Sequence, residues 1–170
     1  MLAHELYSAF ARQKYKTSLY SLDGQYASNP RSRKVAGAEI AVVDTPGTLA
    51  DKWKDIIEGS DVIVVPTRPT PNDVEPFTRT VHLIRKVTNA PILVVVNGHN
   101  RFRMAASFMA WLGTKDWAQH VCTVPQSEAV VQAEGEGKSV CDLAPRGNAA
   151  VTIENMVSEA ARLAGIKYPK

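Results

Sequence analysis

The sequence lacks a long hydrophobic run and contains few cysteines. No apolar stretch approaches the roughly 20 residues of a membrane-spanning helix, and polar residues such as His4, Glu5 and Arg12 interrupt the apolar core that a signal peptide needs. We therefore expect a cytoplasmic protein without a membrane span. Cys122 and Cys141 lack the spacing of metal ligands, so in a reducing compartment both are expected to be free thiols.

Internal repeats, low-complexity segments and domain linkers are also absent from the sequence. Hydrophobic residues make up 45% of the 170-residue chain and charged residues 22%, which is typical of a globular protein. We expect one domain, residues 1–170, long enough to bury roughly 70% of its extended surface. The net charge of +3 permits weak contact with nucleic acid but does not predict it.

Short aliphatic runs alternate with segments of helical periodicity along the chain. Strands are predicted at residues 17–22, 39–44, 62–65, 92–96 and 120–124. Helices are predicted at residues 2–14, 48–58, 71–88, 104–112, 127–135 and 148–164, with loops at 26–37 and 99–103. Because strands that alternate with helices of this length form parallel sheets, we expect an α/β fold with a doubly wound, mostly parallel sheet and helices on both faces.

The run from Ile40 to Val43 is the most informative of these strands. Its four aliphatic residues suit a strand buried on both faces, and Asp44 follows it directly, before the turn Thr45-Pro46-Gly47. Open α/β sheets bind ligands at the carboxyl ends of their strands, and a carboxylate there suits a magnesium–phosphate site. A capping Asp at the end of an ordinary strand is the alternative.

Six short segments give this strand a context. In chain order they are Ser21-Leu-Asp-Gly-Gln25, Val42-Val-Asp-Thr-Pro-Gly47, Val65-Pro-Thr-Arg-Pro-Thr-Pro-Asn-Asp73, Val96-Asn97, Val124-Pro-Gln-Ser-Glu128 with Ala133-Glu-Gly135, and Leu143-Ala-Pro145. In this order they resemble the ParA/MinD family of deviant-Walker ATPases, from residue 2 to about 164. The resemblance implies a P-loop NTPase fold, ATP and Mg²⁺ as cofactors, a homodimer, and plasmid or chromosome partition, or cargo positioning, with a ParB-type partner or cargo protein.

The resemblance also assigns roles on the phosphate side of the expected site. Asp44 matches the carboxylate that holds magnesium, and Thr45 and Gly47 match a switch segment whose backbone N–H groups meet the γ-phosphate. Asp23 matches the residue that positions the attacking water, although Ser21 stands where the family has a first acidic residue. A plain Asp-Gly turn is the alternative for Asp23.

On the base side, the resemblance implies that Asn97 hydrogen-bonds the adenine edge and that Pro125 and Gln126 cover the base. A simple turn at Asn97-Gly98 is the alternative.

Basic and aromatic residues offer a further hypothesis about partners. Arg101, Arg103 and Lys115 flank a helix in the half of the fold where family members contact nonspecific DNA, although a solvated charged face is the simpler interpretation. Three tryptophans are interpreted as core or partner contacts rather than as a base-stacking platform: Trp53, Trp111 and Trp117.

The family's phosphate-binding loop, Gly-Lys-Gly-Gly-x-Gly-Lys-Thr, is missing from the sequence, and so is the strand before it. Gly135-Glu-Gly-Lys-Ser139 includes an acidic residue and lies far downstream, and the resemblance matches it to the segment that follows the base loop. Residues 1–6 resemble the middle of the helix that normally follows the P-loop. We expect a fragment or a displaced start codon, with a true relative that lost the loop as the alternative.

The missing loop bears directly on activity. Its backbone N–H groups and its Lys hold the phosphates, so we expect the chain as given to bind ATP poorly or not at all and to hydrolyse little. The alternative function is a non-catalytic adaptor that binds a partner protein or DNA without hydrolysis. A metabolic enzyme of the same class is a third possibility, but no segment resembles a substrate site for one.

Overall fold

A computed structural model describes residues 1–22, 32–45 and 53–169. The described strands are β1 (Thr17–Ser21), β2 (Ile40–Asp44), β3 (Ile63–Thr67), β4 (Ile92–His99) and β5 (His120–Pro125). The described helices are α1 (Leu2–Arg12), α2 (Lys54–Glu58), α3 (Pro71–Arg85), α4 (Arg103–Leu112), α5 (Glu128–Glu136), α6 (Val140–Leu143) and α7 (Asn148–Leu163). This order confirms the predicted alternation of strands and helices. The first part of the helix predicted at 48–58 lies outside the described residues.

The strands form two parallel sheets. β1 pairs with β2, and β3, β4 and β5 pair in that order. The parallel pairing is as predicted, whereas a single continuous sheet was expected. Within the described ranges no backbone ladder joins β2 to β3. β2 and β3 therefore each have one edge without a neighbouring strand in these sheets.

β4 shows why the fold has helices on both faces. Its first five residues are at most 1% exposed. Leu93 and Val95 belong to a first core cluster with α1 and α7, whereas Val94 and Val96 belong to a second cluster with α3 and α4. Alternate side chains of a strand point to opposite faces, so a continuous aliphatic run indicates a strand that is covered on both sides. The structure shows such a strand at β4. For β2 the prediction of burial on both faces is wrong: Ile40 is buried, but Val42 and Val43 are half-buried and Ala41 is exposed.

The first core cluster also connects the two sheets. It contains Ile40 of β2, Leu93 of β4 and the fully buried Ile153 and Met156 of α7. Burying an aliphatic side chain of this size contributes roughly 1.5–3 kcal/mol. The apolar faces of α1 and α7 therefore hold the two sheets against one hydrophobic layer without a ladder between them.

The second core cluster contains Trp53, and the half-buried Trp111 and Trp117 pack against it. Trp53 is 8% exposed, and Trp117 packs edge-on against Phe77 with ring centroids 5.5 Å apart. Trp111 lies 6.3 Å from Trp117 and 5.3 Å from Phe108. Edge-to-face contacts of this kind add to the stability gained from burial. The interpretation of the tryptophans as core or partner contacts is confirmed as core for Trp53, and Trp111 and Trp117 lie half-buried at the edge of the same cluster.

The outer edge of β1 is covered by part of the predicted loop at 26–37. Leu19 and Arg33 exchange backbone hydrogen bonds of 2.8 and 2.7 Å in an antiparallel bridge. The Ser18 hydroxyl accepts a bond from the Val35 N–H at 2.9 Å. Residues 32–35 thus satisfy polar groups that an open sheet edge would expose. The contact is an isolated bridge, and the described part of this segment belongs to neither a strand nor a helix, as the loop prediction expects.

Helix α6 was not predicted from the sequence. Its start is tied to α1 by Glu5, which is only 2% exposed. The Glu5 carboxylate accepts hydrogen bonds from the Ser139 hydroxyl at 2.5 Å and from the Val140 N–H at 2.9 Å. Beside it, Arg12 donates to Glu154 at 2.6 Å. These contacts fix α1 against α6 and α7.

Two other features agree with the sequence. Ser127 occupies the N-cap position of α5, although its hydroxyl makes no capping hydrogen bond, and Gly137 ends that helix with a φ of 65°. Cys122 and Cys141 are free thiols, and burial raises the pKa of Cys141 to about 11. No helix in the described part of the chain is long and apolar enough to cross a membrane.

Candidate functional site

The carboxyl end of β2 carries the residues expected at the metal and switch positions. Asp44 is the last residue of β2 and is half-buried, and Thr45 follows it and is exposed. Asp44 pairs in register with Ser21, and its carbonyl oxygen accepts a bond from the Leu22 N–H at 2.9 Å. The ends of β1 and β2 therefore lie side by side. Asp23 and Gly47 lie outside the described residues, so their roles remain predictions.

Within the described residues, Asp44 does not belong to a cluster of side chains that could hold a metal ion. Among residues 1–22, 32–45 and 53–169, no three His, Cys, Asp or Glu side chains are grouped so that they could hold a metal ion. Magnesium commonly binds one or two carboxylates and completes its shell with water and phosphate oxygens. The Asp44 carboxylate, at the end of β2, fits that pattern.

The carboxyl ends of β4 and β5 bring the three predicted base-side residues together. Asn97 pairs in register with Val124, the residue just before Pro125. The Gln126 N–H donates to the carbonyl oxygen of His99 at 2.9 Å. This bond connects the loop after β4 with the loop after β5, so Asn97, Pro125 and Gln126 belong to one small surface.

The simple-turn alternative for Asn97-Gly98 is wrong. β4 continues through both residues to His99, with a register shift between Asn97 and His99. Gly98 has a φ of 75°, which a residue with a side chain rarely adopts. The extra residue interrupts the regular pairing of the strand directly after Asn97, and irregularities of this kind are frequent next to binding sites.

A cleft that the sequence did not indicate adjoins Asn97. It lies between the carboxyl ends of β3 and β4 and the start of α3, has a volume of about 280 Å³, and is lined by Pro66, Thr67, Arg68, Asp73 and Asn97. We call it the β3–β4 cleft. Arg68, Thr67 and Asp73 are the functional candidates that the sequence reasoning missed. The spacing of Thr70 and Asp73 is typical of a helix start. This spacing could have placed Thr70 and Asp73 at the N-terminal end of α3.

Hydrogen bonds orient two of the side chains that line the β3–β4 cleft, Thr67 and Asp73. Thr67 is 6% exposed and its hydroxyl donates to the Arg68 carbonyl oxygen at 3.3 Å. Thr70 is the N-cap residue of α3, and its hydroxyl donates to the Asp73 carboxylate. These bonds orient Asp73 toward the start of its own helix while the Arg68 side chain is exposed.

The basic residues do not form one cluster. Arg101 and Arg103 are exposed at the start of α4 and flank Phe102, which is 64% exposed. Lys115 follows the other end of α4, about 15 Å away for a helix of this length, and its ammonium group lies 5.1 Å from the Trp111 ring centroid. Of these three basic residues, Arg101 and Arg103 lie together at one end of α4 and Lys115 lies beyond the other end.

Comparison with known proteins gives structural likeness alone. No protein-family model and no curated protein matches the sequence. Among solved structures, the MinC:MinD cell division protein complex of Aquifex aeolicus contains a chain similar to this one, with a TM-score of 0.68, 13% identity, and coverage of 99% of this chain and 91% of that one. A plasmid partition protein of Borrelia burgdorferi matches with a TM-score of 0.68, 14% identity, and coverage of 95% and 91%.

The septum site-determining protein MinD of Pyrococcus horikoshii, complexed with Mg-ADP, matches with a TM-score of 0.60 and 16% identity over 76% of this chain. The present chain covers 53% of that protein and 54% of the Pyrococcus furiosus MinD, so it spans about half the length of these relatives. The chain has the ParA/MinD-like α/β fold expected from the sequence.

Proposed function

We propose that this chain is the nucleotide-binding domain of a ParA-like partition ATPase, which binds ATP with Mg²⁺ and moves or positions DNA or another cargo. The observation that carries the proposal is the grouping of Asn97, Pro125 and Gln126 at the carboxyl ends of β4 and β5. The likeness to a MinD complexed with Mg-ADP supports the choice of a nucleotide as the ligand.

Each proposed role follows from the chemistry of its side chain. The Asn97 amide has both a donor and an acceptor, so it matches the adjacent amino group and ring nitrogen of adenine. Pro125 is an apolar surface for the flat base, and the Gln126 backbone is held by His99. Asp44 would hold the magnesium, Thr45 and Gly47 would meet the γ-phosphate, and Asp23 would position the attacking water.

The phosphate side of this site is incomplete in the 170 residues. The segment Gly135-Glu-Gly-Lys-Ser139 lies between α5 and α6 rather than between a strand and a helix, and the Gly-Lys-Gly-Gly-x-Gly-Lys-Thr loop does not occur in the sequence. Without that nest of N–H groups and its ammonium group, the triphosphate has few counter-charges. The chain alone should therefore bind ATP weakly and turn it over slowly.

The test is equilibrium binding of a fluorescent ATP analogue with Mg²⁺. We expect the 170-residue chain to bind the analogue weakly. The variants Asn97→Ala and Asp44→Ala should lose this weak binding. Asn155→Ala and Asp116→Ala, which change the same residue types at exposed positions on other elements, serve as matched controls. Binding that neither Asn97→Ala nor Asp44→Ala weakens would contradict the proposed site.

A non-catalytic adaptor is the second candidate, and the absence of the Gly-rich loop favours it. The codons upstream of Met1 discriminate between the two. An in-frame Gly-Lys-Gly-Gly-x-Gly-Lys-Thr within about 20 codons, enough for one strand and a loop, supports the ATPase. An in-frame stop directly upstream, together with no nucleotide binding by the folded chain, supports the adaptor.

Partner binding belongs to the same proposal. We expect ATP to be enclosed between two copies of the domain, so Mg-ATP should shift the complete protein toward a dimer in analytical ultracentrifugation. Contact of Arg101 and Arg103 with DNA phosphates should be blind to sequence and weaken with salt. Replacing both by Ala should reduce the salt dependence of DNA binding, whereas Arg146→Ala, another exposed arginine, should not.

A further inference from the structure

We propose that the β3–β4 cleft holds the ribose of the bound nucleotide, with the Asp73 carboxylate accepting a hydrogen bond from a ribose hydroxyl and Arg68 lying beside the first phosphate. This inference rests on the proposed nucleotide site and adds two residues to it. Neither residue was assigned a role from the sequence.

The order of the strands supports this placement. The base-side residues lie at the ends of β4 and β5, and β3 is the neighbour of β4 on its other side. Leu22, whose N–H bonds to the Asp44 carbonyl oxygen, packs against the second core cluster, which includes Val65 of β3 and Phe77 of α3. A nucleotide with its base over β4 and β5 and its phosphates directed toward Asp44 therefore crosses the end of β3, where the cleft lies.

The charges in the cleft suit a sugar better than a triphosphate. Arg68 and Asp73 are the charged residues of its lining, and their formal charges cancel. A bare triphosphate would be repelled by Asp73, whereas a sugar hydroxyl can donate to that carboxylate. The volume of about 280 Å³ lies just under the roughly 300–1,000 Å³ of drug-sized ligand pockets, which fits one part of a nucleotide rather than all of it.

Asp73 retains the capacity for this bond. The Thr70 hydroxyl donates to one of its two carboxylate oxygens, and a carboxylate has about four acceptor positions. The position of Asp73 in the first turn of α3 and its bond to Thr70 limit the motion of the side chain. The acceptor is thus oriented before the ligand arrives, which reduces the entropy lost on binding.

The test compares Mg-ATP with its 2′-deoxy and 3′-deoxy analogues by titrating the full 170-residue chain and following the backbone amide signals in ¹H–¹⁵N NMR spectra, which measure weak binding. A hydrogen bond to a charged acceptor typically changes affinity about ten-fold or more, so the wild-type chain should prefer ATP to at least one analogue by that factor. Asp73→Ala should bind all three equally. Arg68→Ala should weaken ATP binding more than adenosine binding.

Glu75→Ala is the matched control, because Glu75 is a carboxylate on the same helix whose side chain is 88% exposed and lies outside the cleft. It should retain the wild-type preference for the ribose hydroxyl. Thermal unfolding of each variant would show whether Asp73→Ala is folded, and Asp73→Asn, which keeps an acceptor oxygen, should retain part of the preference.

Two failures are distinguishable. If Mg-ATP shifts the amide signals of Asn97 and Gln126 but the wild-type chain binds the deoxy analogues as well as ATP, the ribose inference is overturned and the nucleotide site stands. The same conclusion follows if Asp73→Ala keeps the preference. If Mg-ATP shifts neither amide signal in the folded chain, the nucleotide site and the ribose inference are both contradicted.

Discussion

The buried carboxylate of Glu5 should be a large contributor to stability. It accepts hydrogen bonds from the Ser139 hydroxyl and from the Val140 N–H, and these bonds attach α1 to the start of α6. In Glu5→Ala both donors lose their acceptor in a region where Glu5 is 2% exposed and Ser139 1% exposed. Each buried donor without a partner costs roughly 1–3 kcal/mol, so the free energy of unfolding should fall by about 3 kcal/mol.

Urea unfolding followed by circular dichroism measures this change. The midpoint should fall while the denaturant slope stays constant, because the buried surface is largely the same. Glu75→Ala, with a carboxylate that is 88% exposed, should change stability by no more than about 0.5 kcal/mol. The double variant with Ser139→Ala should cost less than the sum of the single changes, because the two residues share one bond. A Glu5→Ala protein as stable as the Glu75→Ala control would refute this reasoning.

Three further predictions concern stability and reactivity. Ile153→Ala, at a position with no exposed surface, should lower the free energy of unfolding by roughly 2–5 kcal/mol in urea, and a loss under about 1 kcal/mol would contradict the packing of α7. Burial raises the pKa of Cys141 to about 11, so its thiol in the folded chain should react with a maleimide at pH 8 more than about ten-fold slower than in urea; equal rates would show that the thiol is not protected. For Glu154, burial raises the pKa, but the hydrogen bonds from Tyr168 and Arg12 outweigh it and leave the pKa below its ordinary value of 4.5. The stabilisation is therefore present above pH 4.5 and lost as the pH falls through the lower folded value, so Glu154→Gln should flatten the decline of the urea midpoint in this range, and an unchanged pH profile would contradict the assignment.

The order of strands and helices could be predicted because it depends on local patterns. Aliphatic runs such as Ile92 to Val96 indicate a strand that is buried on both faces, and the structure places such a strand at the centre of the three-stranded sheet. The turn residues Gly137 and Gly165, both with positive φ, end the helices that precede them, as expected. These features need only a few neighbouring residues to be recognised.

The features that sequence reasoning missed depend on contacts between distant residues. Helix α6 has four residues, and Glu5, more than 130 positions earlier in the chain, bonds to its first N–H. The division into two sheets depends on which strands pair, which hydrophobic periodicity does not encode. The extension of β4 to His99 follows from its pairing with Pro125 of the next strand. Long-range partners of this kind leave no local pattern in the sequence.

The candidate site shows the same division. Asn97, Pro125 and Gln126 could be named from the order of short motifs, and the structure brings them together. The local sequence around Arg68 and Asp73 indicates a turn and a helix start. Their position beside Asn97 depends on the pairing of β3 with β4, which the local sequence does not show.

The most direct test of the proposed function is a ¹H–¹⁵N NMR titration of the 170-residue chain with Mg-ATP at millimolar concentrations. If the domain holds the base half of an ATP site, the amide signals of Asn97 and Gln126 should shift in a saturable manner, and Asn97→Ala should abolish the shift of Gln126. A folded chain in which Mg-ATP moves neither signal would contradict the site. So would shifts that are as large in Asn97→Ala as in the wild type and in the control Asn155→Ala.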